Sequence, residues 1–519
     1  MWRLSGEKLS VMLTSKVWAF VRLGILSSFL CFVIAMQCRA RSKPQAVISP
    51  ISVFSEARTL SVAFPPDDRA VVLYQVATAA ESFDHRACKT WSLELFRVAK
   101  DQMGSNNRRA MQKNALVVLS SVDPKLAADL FRQQDLPDFE EGEDYRVWAA
   151  GPLFSSLWRR EQQQSLHKIK SLSIWMGDTG EYPYAAIAEV MLELSKTGHG
   201  ALVNDLFADG EYAYETSSRR FFDVSQNYVE FLLRVHSIVD RALLNGSLRN
   251  VVRQLEDTSL PDKPKIQVQV DNRSGTHSFN SLEDGLLYRL LPLIKDTDPD
   301  LAESILKRNR NMSSETLSAL NENTTWRAVA LQDMQPGQAE VNGAFQKQSL
   351  QGALDAAAQD PNHAMLLARR IDDPEMRDIA VASVMPQYLA MESNVSGNEL
   401  NDIERRFAKM RPDEHKLKLE VALIRTYFAL HRYADAQALV NRAFDLGTEL
   451  VSEDMLAHPG RNMYPANGAE DLFSLANYLG EHAPDPAVAW GLIEGVHDDI
   501  LKGELLAAFG RGLVLRRSN

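Results

Sequence analysis

The stretches DPNHAMLL (Asp360–Leu367) and DPAVAWGL (Asp485–Leu492) follow one pattern, D-P-x-x-A-x-x-[LI], which recurs at Asp123 and Asp298. Aspartate is a strong helix N-cap, because its carboxylate accepts hydrogen bonds from the unpaired N–H groups of the first turn. Proline suits the next position, where the helix needs no N–H donor. The alanine lets a neighbouring helix approach, and the Leu or Ile lies on the same helix face. The pattern therefore predicts the start of a helix that packs closely against another.

Two copies of this pattern begin longer units that resemble each other. Asp360–Leu389 aligns with Asp485–Val514 without a gap, and Asp373 then falls on Asp498. A second aspartate after the first helix is suited to cap another helix. Each unit is therefore predicted to contain two helices separated by a short acidic turn.

The remaining sequence also favours helices. Apolar residues recur at three- and four-residue steps along most of the chain, which is typical of amphipathic helices. A chain of 519 residues exceeds the size of one compact core, so two domains or an elongated repeat array is expected. We predict an all-α fold, an α-solenoid of stacked antiparallel helix pairs.

The predicted organisation has four parts. They are a signal peptide (1–40), an N-terminal helical domain (41–255), a linker (256–284) and a C-terminal helical-repeat domain (285–519). In the linker, Ile266, Val268 and Val270 alternate with polar residues, which predicts a short extended or β-like segment.

Residues 421–446 resemble a tetratricopeptide repeat. Val421–Leu430 matches the first helix, His431 and Arg432 the turn, and Tyr433 an aromatic position, although the usual turn glycine is missing. The small residues Ala436 and Ala443 also match. The resemblance supports a degenerate helical-repeat superfamily, tetratricopeptide-like or HEAT-like, and implies binding of proteins or peptides on a concave face.

The N-terminus has the features of an export signal. Basic residues precede the apolar run Leu23–Met36, and small residues at Cys38 and Ala40 fit a cleavage site. We predict cleavage near Ala40 and export to the periplasm or cell envelope. The alternative is an uncleaved inner-membrane anchor formed by residues 18–36, which would be the only attachment to a membrane.

Composition narrows the function classes. The net charge of -11 argues against a nucleic-acid partner, which would require a basic surface. Cleavage near Ala40 leaves Cys88 as the single cysteine, so an internal disulfide is impossible. We interpret Cys88 as a small buried side chain, with a catalytic thiol as the alternative.

The chain lacks the common catalytic and cofactor motifs, among them H-E-x-x-H, C-x-x-C and the phosphate-binding loops. No metal or cofactor is therefore predicted, and a protein that is not an enzyme is favoured. One stretch, Trp175–Tyr184 (WMGDTGEYPY), places Asp178 and Glu181 among aromatic residues. In an all-α toroid-type glycosidase or polysaccharide lyase, two such carboxylates would act as acid and base. The alternative is a loop between helices.

Aromatic residues are concentrated in this part of the chain. A binding surface would use Trp175, Tyr182, Tyr184, Tyr212 and Tyr214, whereas core packing is the favoured interpretation for the tryptophans, including Trp148. The strings GEYPY and GEYAY, which begin at Gly180 and Gly210, recur at a distance typical of helical repeats.

The leading functional hypothesis is a scaffold that binds a protein or peptide in the periplasm or cell envelope. The alternative is the carbohydrate-active enzyme. The sequence identifies neither the partner nor the oligomeric state.

Overall fold

A computed structural model describes most of the chain after residue 47. The described ranges are 48–137, 144–217, 222–256, 266–272, 275–279, 282–308, 325–330, 350–357, 359–391, 397–458 and 466–518. The predicted signal peptide and the alternative anchor at 18–36 lie outside them. None of the helices in these ranges combines the length and the apolar character that a membrane span requires.

The described residues are helical apart from one small sheet, which confirms the all-α class. Residues 350–357 are helical, and the other helices are α1 (Pro50–Ser61), α2 (Pro66–Ala80), α3 (His85–Gln102), α4 (Ser105–Val122), α5 (Pro124–Phe131), α6 (Tyr145–Glu161), α7 (Gln163–Thr179), α8 (Tyr184–Lys196), α9 (Gly200–Ser217), α10 (Phe222–Val235), α11 (Arg241–Leu255), α12 (Leu282–Thr297), α13 (Pro299–Arg308), α14 (Pro361–Arg369), α15 (Pro374–Met391), α16 (Gly397–Phe407), α17 (Glu414–Ala429), α18 (Tyr433–Ala457), α19 (Ala469–His482), α20 (Pro486–Glu494) and α21 (Asp499–Ser518).

The repeated D-P pattern begins a helix at each of its four positions, as predicted. These are the short helices α5, α13, α14 and α20, with proline as the first helical residue. The caps are Asp123, Asp298, Asp360 and Asp485, whose carboxylates accept hydrogen bonds from backbone N–H groups two or three residues later. The pattern's alanines are Ala127, Ala302, Ala364 and Ala489, and all four are buried.

The two aligned units have the same helix boundaries. Pro361 and Pro374 begin α14 and α15, and the residues aligned with them, Pro486 and Asp499, begin α20 and α21. The prediction of two helices joined by a short acidic turn is therefore confirmed in both units.

In the C-terminal half, alternate helices pack side by side in the order α15, α17, α19, α21. The Thr426 hydroxyl of α17 donates to the Ala382 carbonyl of α15 at 3.0 Å. Helices α19 and α21 approach most closely at Gly480 and Gly512, where a Cβ would overlap the backbone of the opposite helix. Glycine is therefore required at this crossing, because any side chain would separate the two helices.

In the N-terminal half, polar contacts link helices two apart along the chain. They join residues 34–39 positions apart: Lys89–Asp123, Asp129–Lys168, Arg132–Ser171, Asn204–Asp240 and Glu215–Asn250. Helices α4, α6, α8, α10 and α12 also contact one another in this order. Successive helices therefore alternate between two layers.

The first and last helices of the described residues meet. Helix α21 packs against α1 and α2, and the Phe54 ring of α1 covers Gly510 so closely that a Cβ at Gly510 would overlap it. The C-terminal helix α21 therefore extends the packing of the helices α1 and α2.

A three-stranded antiparallel sheet interrupts the helices. Its strands are β1 (Ile266–Asn272), β2 (Gly275–Phe279) and β3 (Thr325–Ala330), in the order β2-β1-β3. Strands β1 and β2 lie in the range for which the sequence predicts an extended segment. Strand β3 lies in the range predicted to be helical, and that prediction is wrong there. Val270 pairs with Trp326, so a partner distant in sequence determines the conformation of this β-forming stretch.

Glu504 is a buried carboxyl group at the contact of α21 with α2. The side chain is 0% exposed, and neither carboxylate oxygen has a hydrogen-bond partner among the residues that the structure describes. Burial, followed by the neighbouring carboxylates Asp68 and Asp498, raises the pKa of Glu504 to about 8. The folded protein therefore holds a proton here that the unfolded chain releases at neutral pH.

We predict that Glu504→Gln flattens the pH dependence of stability. Below pH 4.5 both states bind the proton. As pH rises towards 8, the folded state alone retains it, and this residue removes up to about 1.4 kcal/mol of stability per pH unit. Urea unfolding from pH 5 to 9 measures the difference in slope between wild type and variant. The exposed Glu449→Gln is the control, and equal slopes for wild type and Glu504→Gln would contradict the prediction.

Candidate functional site

The predicted loop between α7 and α8 is held by a buried arginine. Arg146, whose side chain is 1% exposed, forms a two-pronged ion pair with Asp144 at 2.6 and 2.8 Å. Its Nη1 donates to the Thr179 hydroxyl at 2.8 Å, and its guanidinium lies 4.9 Å from the centre of the Trp175 ring. The cluster fastens the start of α6 to the end of α7.

Gly180 is part of the same cluster. A Cβ at this position would overlap Nη2 of Arg146, so only glycine allows the arginine to lie against the loop. The Glu181 backbone N–H donates to Asp144 at 3.2 Å. The glycine and the polar residues of the WMGDTGEYPY stretch are therefore explained by local packing.

The two candidate catalytic carboxylates have different surroundings. Asp178 is exposed in the last turn of α7, whereas the Glu181 side chain accepts a hydrogen bond from Asn227 of α10. An acid–base pair requires two carboxylates that face a common substrate. The described contacts do not join Asp178 and Glu181 in that way.

The predicted aromatic surface is divided between core and solvent. Tyr182, Tyr184 and Tyr214 are at most 2% exposed, so they form core rather than a surface. Trp175 is partly buried and packs edge-on against a phenylalanine, whereas Tyr212 is 64% exposed.

Trp148 was predicted to pack in the core, and this prediction is wrong. Its side chain is 62% exposed. The inward face of α6 is formed by its neighbours Ala149, Ala150 and Leu153 instead. Periodicity within one helix could have indicated this, because Trp148 is out of phase with these residues.

Cys88 is buried, as predicted. Burial raises the pKa of its thiol to about 11. The thiol therefore stays protonated at neutral pH and is a poor nucleophile.

The segment that resembles a tetratricopeptide repeat forms two helices at the predicted turn. Helix α17 ends at Ala429 and α18 begins at Tyr433. His431 has φ +58°, so it adopts the left-handed conformation for which the missing glycine would be better suited.

Charged, polar and aromatic side chains come together near this turn, where α17 packs against α19. We call the surface between these two helices the α17–α19 groove and define it by Lys418 and Arg425 of α17 with Asp471, Ser474 and Tyr478 of α19. Sequence reasoning did not single out these residues, because the groove exists only where the two helices meet.

Arg425 is the central cation of the α17–α19 groove. Its Nη2 donates to the Ser474 hydroxyl, and its guanidinium lies 5.4 Å from the centre of the Tyr478 ring. Its Nε is buried and has no hydrogen-bond partner within the described residues. A buried donor without a partner is costly to the fold.

Asp471 is the anion of the groove. Burial raises the pKa of its carboxyl to about 7, against the opposing effect of Lys418. Lys418 itself pairs with Glu414 on its own helix. Asp471 therefore changes charge near neutral pH, close to the Arg425 guanidinium.

Aromatic side chains border one end of the groove. Phe428 lies 5.7 Å from Tyr478 and 5.9 Å from Tyr433, measured between ring centres. Tyr433 is 46% exposed. This end of the groove can cover an apolar side chain, while its middle offers charged and hydrogen-bonding groups.

Within the ranges that the structure describes, no group of three or more His, Cys, Asp or Glu residues is arranged to hold a metal ion. The chain matches no protein-family model, no curated protein and no solved structure. The function is therefore inferred from the arrangement of its own residues.

We predict that Gly180→Ala destabilises the fold by about 1–3 kcal/mol, because the added methyl group displaces the buried Arg146. The control is Gly246→Ala within α11, where the new methyl meets open space and alanine favours the helix. Chemical denaturation of both variants measures the difference. Equal stabilities of the two variants would show that the loop does not depend on this contact.

Proposed function

We propose that this protein is an α-solenoid scaffold that binds a protein or peptide partner in the α17–α19 groove. The observation that carries the proposal is Arg425, a partly buried cation whose Nε donor the described fold leaves unpaired. Such a group is expensive to maintain in a fold unless a ligand satisfies it.

The packing order supports the solenoid part of the proposal. Alternate helices lie side by side in both halves, and the polar contacts between them join residues about one helical repeat apart. Such arrays offer extended surfaces suited to a chain in extended conformation.

The contents of the groove indicate the partner's chemistry. Arg425 suits a carboxylate, and the Tyr478 ring beside it suits an apolar side chain. We therefore propose a peptide segment that places an acidic residue next to an aromatic or aliphatic one. Export to the periplasm or cell envelope remains part of the proposal and rests on the sequence of residues 1–40.

The carbohydrate-active enzyme is not proposed further, since no described contact brings Asp178 and Glu181 together. The groove proposal requires no chemical step at these carboxylates.

The proposal is tested with fluorescein-labelled hexapeptides that place Asp or Lys beside Phe or Ser. We predict that the Asp-Phe peptide binds most tightly and that Arg425→Gln weakens its binding about tenfold, as the loss of a charge-assisted hydrogen bond requires. Fluorescence anisotropy measures each dissociation constant.

The matched control is Arg405→Gln on α16, whose side chain is 77% exposed. Protonation of Asp471 removes a negative charge that repels the acidic peptide, so binding strengthens as the pH falls from 8 to 6. Asp471→Asn abolishes this pH dependence. Equal losses in Arg425→Gln and Arg405→Gln, or no preference for the acidic peptide, would contradict the proposal.

A further inference from the structure

A separate cleft of about 510 Å³ lies between α10, α11 and α12, far along the chain from the α17–α19 groove. Sites for small organic molecules have volumes of roughly 300–1,000 Å³. The cleft is therefore large enough for a small molecule, and its lining indicates which kind.

One part of the lining is apolar. Leu233 of α10, Val239 of the following turn and Leu244 of α11 face Pro292 and Leu293 of α12. Val239 and Leu244 are less than a tenth exposed, so they belong to the fixed core. This part of the cleft would bind a hydrocarbon body.

The other part of the lining carries two guanidinium groups. Arg289 has a side chain that is only 9% exposed, and it pairs with Glu230, which is 44% exposed. Arg241 lies at the start of α11 and, among the described residues, donates one hydrogen bond, to the Asp296 carbonyl at 2.8 Å. An arginine has five N–H donors, so Arg241 retains others for a ligand.

Two acidic groups lie near these arginines. Asp296 is exposed at the end of α12, and Glu230 balances the charge of the nearly buried Arg289 through their ion pair. Arg241, which bonds only a neutral carbonyl among the described residues, is therefore the cation of the cleft with donors for an anion.

The walls of the cleft are held in place by polar contacts beyond it. Arg249 of α11 donates to Asp298 at 2.7 Å, and this aspartate caps α13. The hydrogen bond from Arg241 to the Asp296 carbonyl also ties α11 to the end of α12. A preformed site loses little free energy to reorganisation when a ligand binds.

We propose that this cleft binds a small organic monoanion with an apolar body. The apolar wall buries the body, and Arg241 at the mouth donates to the anionic group. The proposal is independent of the α17–α19 groove.

The test uses two fluorescent probes with the full chain: 8-anilinonaphthalene-1-sulfonate, which is an apolar anion, and N-phenyl-1-naphthylamine, its uncharged counterpart. We expect the sulfonate to bind with one-to-one stoichiometry. Arg241→Gln should weaken its binding about tenfold and leave that of the uncharged probe within about twofold, because only the sulfonate uses the guanidinium.

Two further variants complete the test. Arg234→Gln on α10 removes an exposed arginine that pairs with Glu189 outside the cleft, and it should leave both probes unaffected. Leu293→Trp fills the cleft and should abolish binding of both, with near-ultraviolet circular dichroism to confirm folding. The proposal is overturned if Arg241→Gln leaves sulfonate binding unchanged, or if Arg234→Gln weakens it equally. Since Arg241 is exposed, its substitution stays informative even if Leu293→Trp fails to fold.

Discussion

The aspartate caps fix where the short helices begin, and much of the arrangement follows from that constraint. A helix that begins at Asp360 or Asp485 has its first turn paired at once, so its start cannot slide along the chain. Because α14 and α20 are short, few residues separate each long helix from the next one. The long helices can then pack side by side, and the α17–α19 groove lies between two of them.

The helical pairs could be predicted because their signals are local. Asp, Pro and Ala at fixed spacing specify a helix start without any distant contact, and both aligned units have the predicted boundaries. The turn before Tyr433 was also predicted, from the resemblance of residues 421–446 to a tetratricopeptide repeat. The conformation of this turn could not be predicted, since His431 adopts a left-handed conformation that the sequence alone does not reveal.

The candidate sites could not be predicted, because they depend on contacts between distant residues. The strings GEYPY and GEYAY show the difficulty. The first is a loop that ends at Pro183, whereas the second lies within α9, where alanine replaces the proline and leaves the helix its N–H donor. Similar local sequence therefore produced different structures. Likewise, strand β3 exists through its pairing with β1, and Arg425 meets Tyr478 only after α19 packs on α17.

Two arginines differ in whether their hydrogen-bond donors are already paired within the described fold. Arg146 and Arg425 each lie near an aromatic ring and near an aspartate. Arg146 is satisfied by Asp144 and Thr179, so a ligand would have to break existing bonds to reach it. Arg425 keeps a buried donor without a partner in the described fold. The cost of removing the Arg425 donor from water is already included in the stability of the fold. A carboxylate that bonds to Arg425 would therefore recover free energy, whereas one that bonds to Arg146 would have to replace existing bonds. This difference, rather than residue type, is the physical reason why we propose the α17–α19 groove, and not the Arg146 cluster, as the binding site.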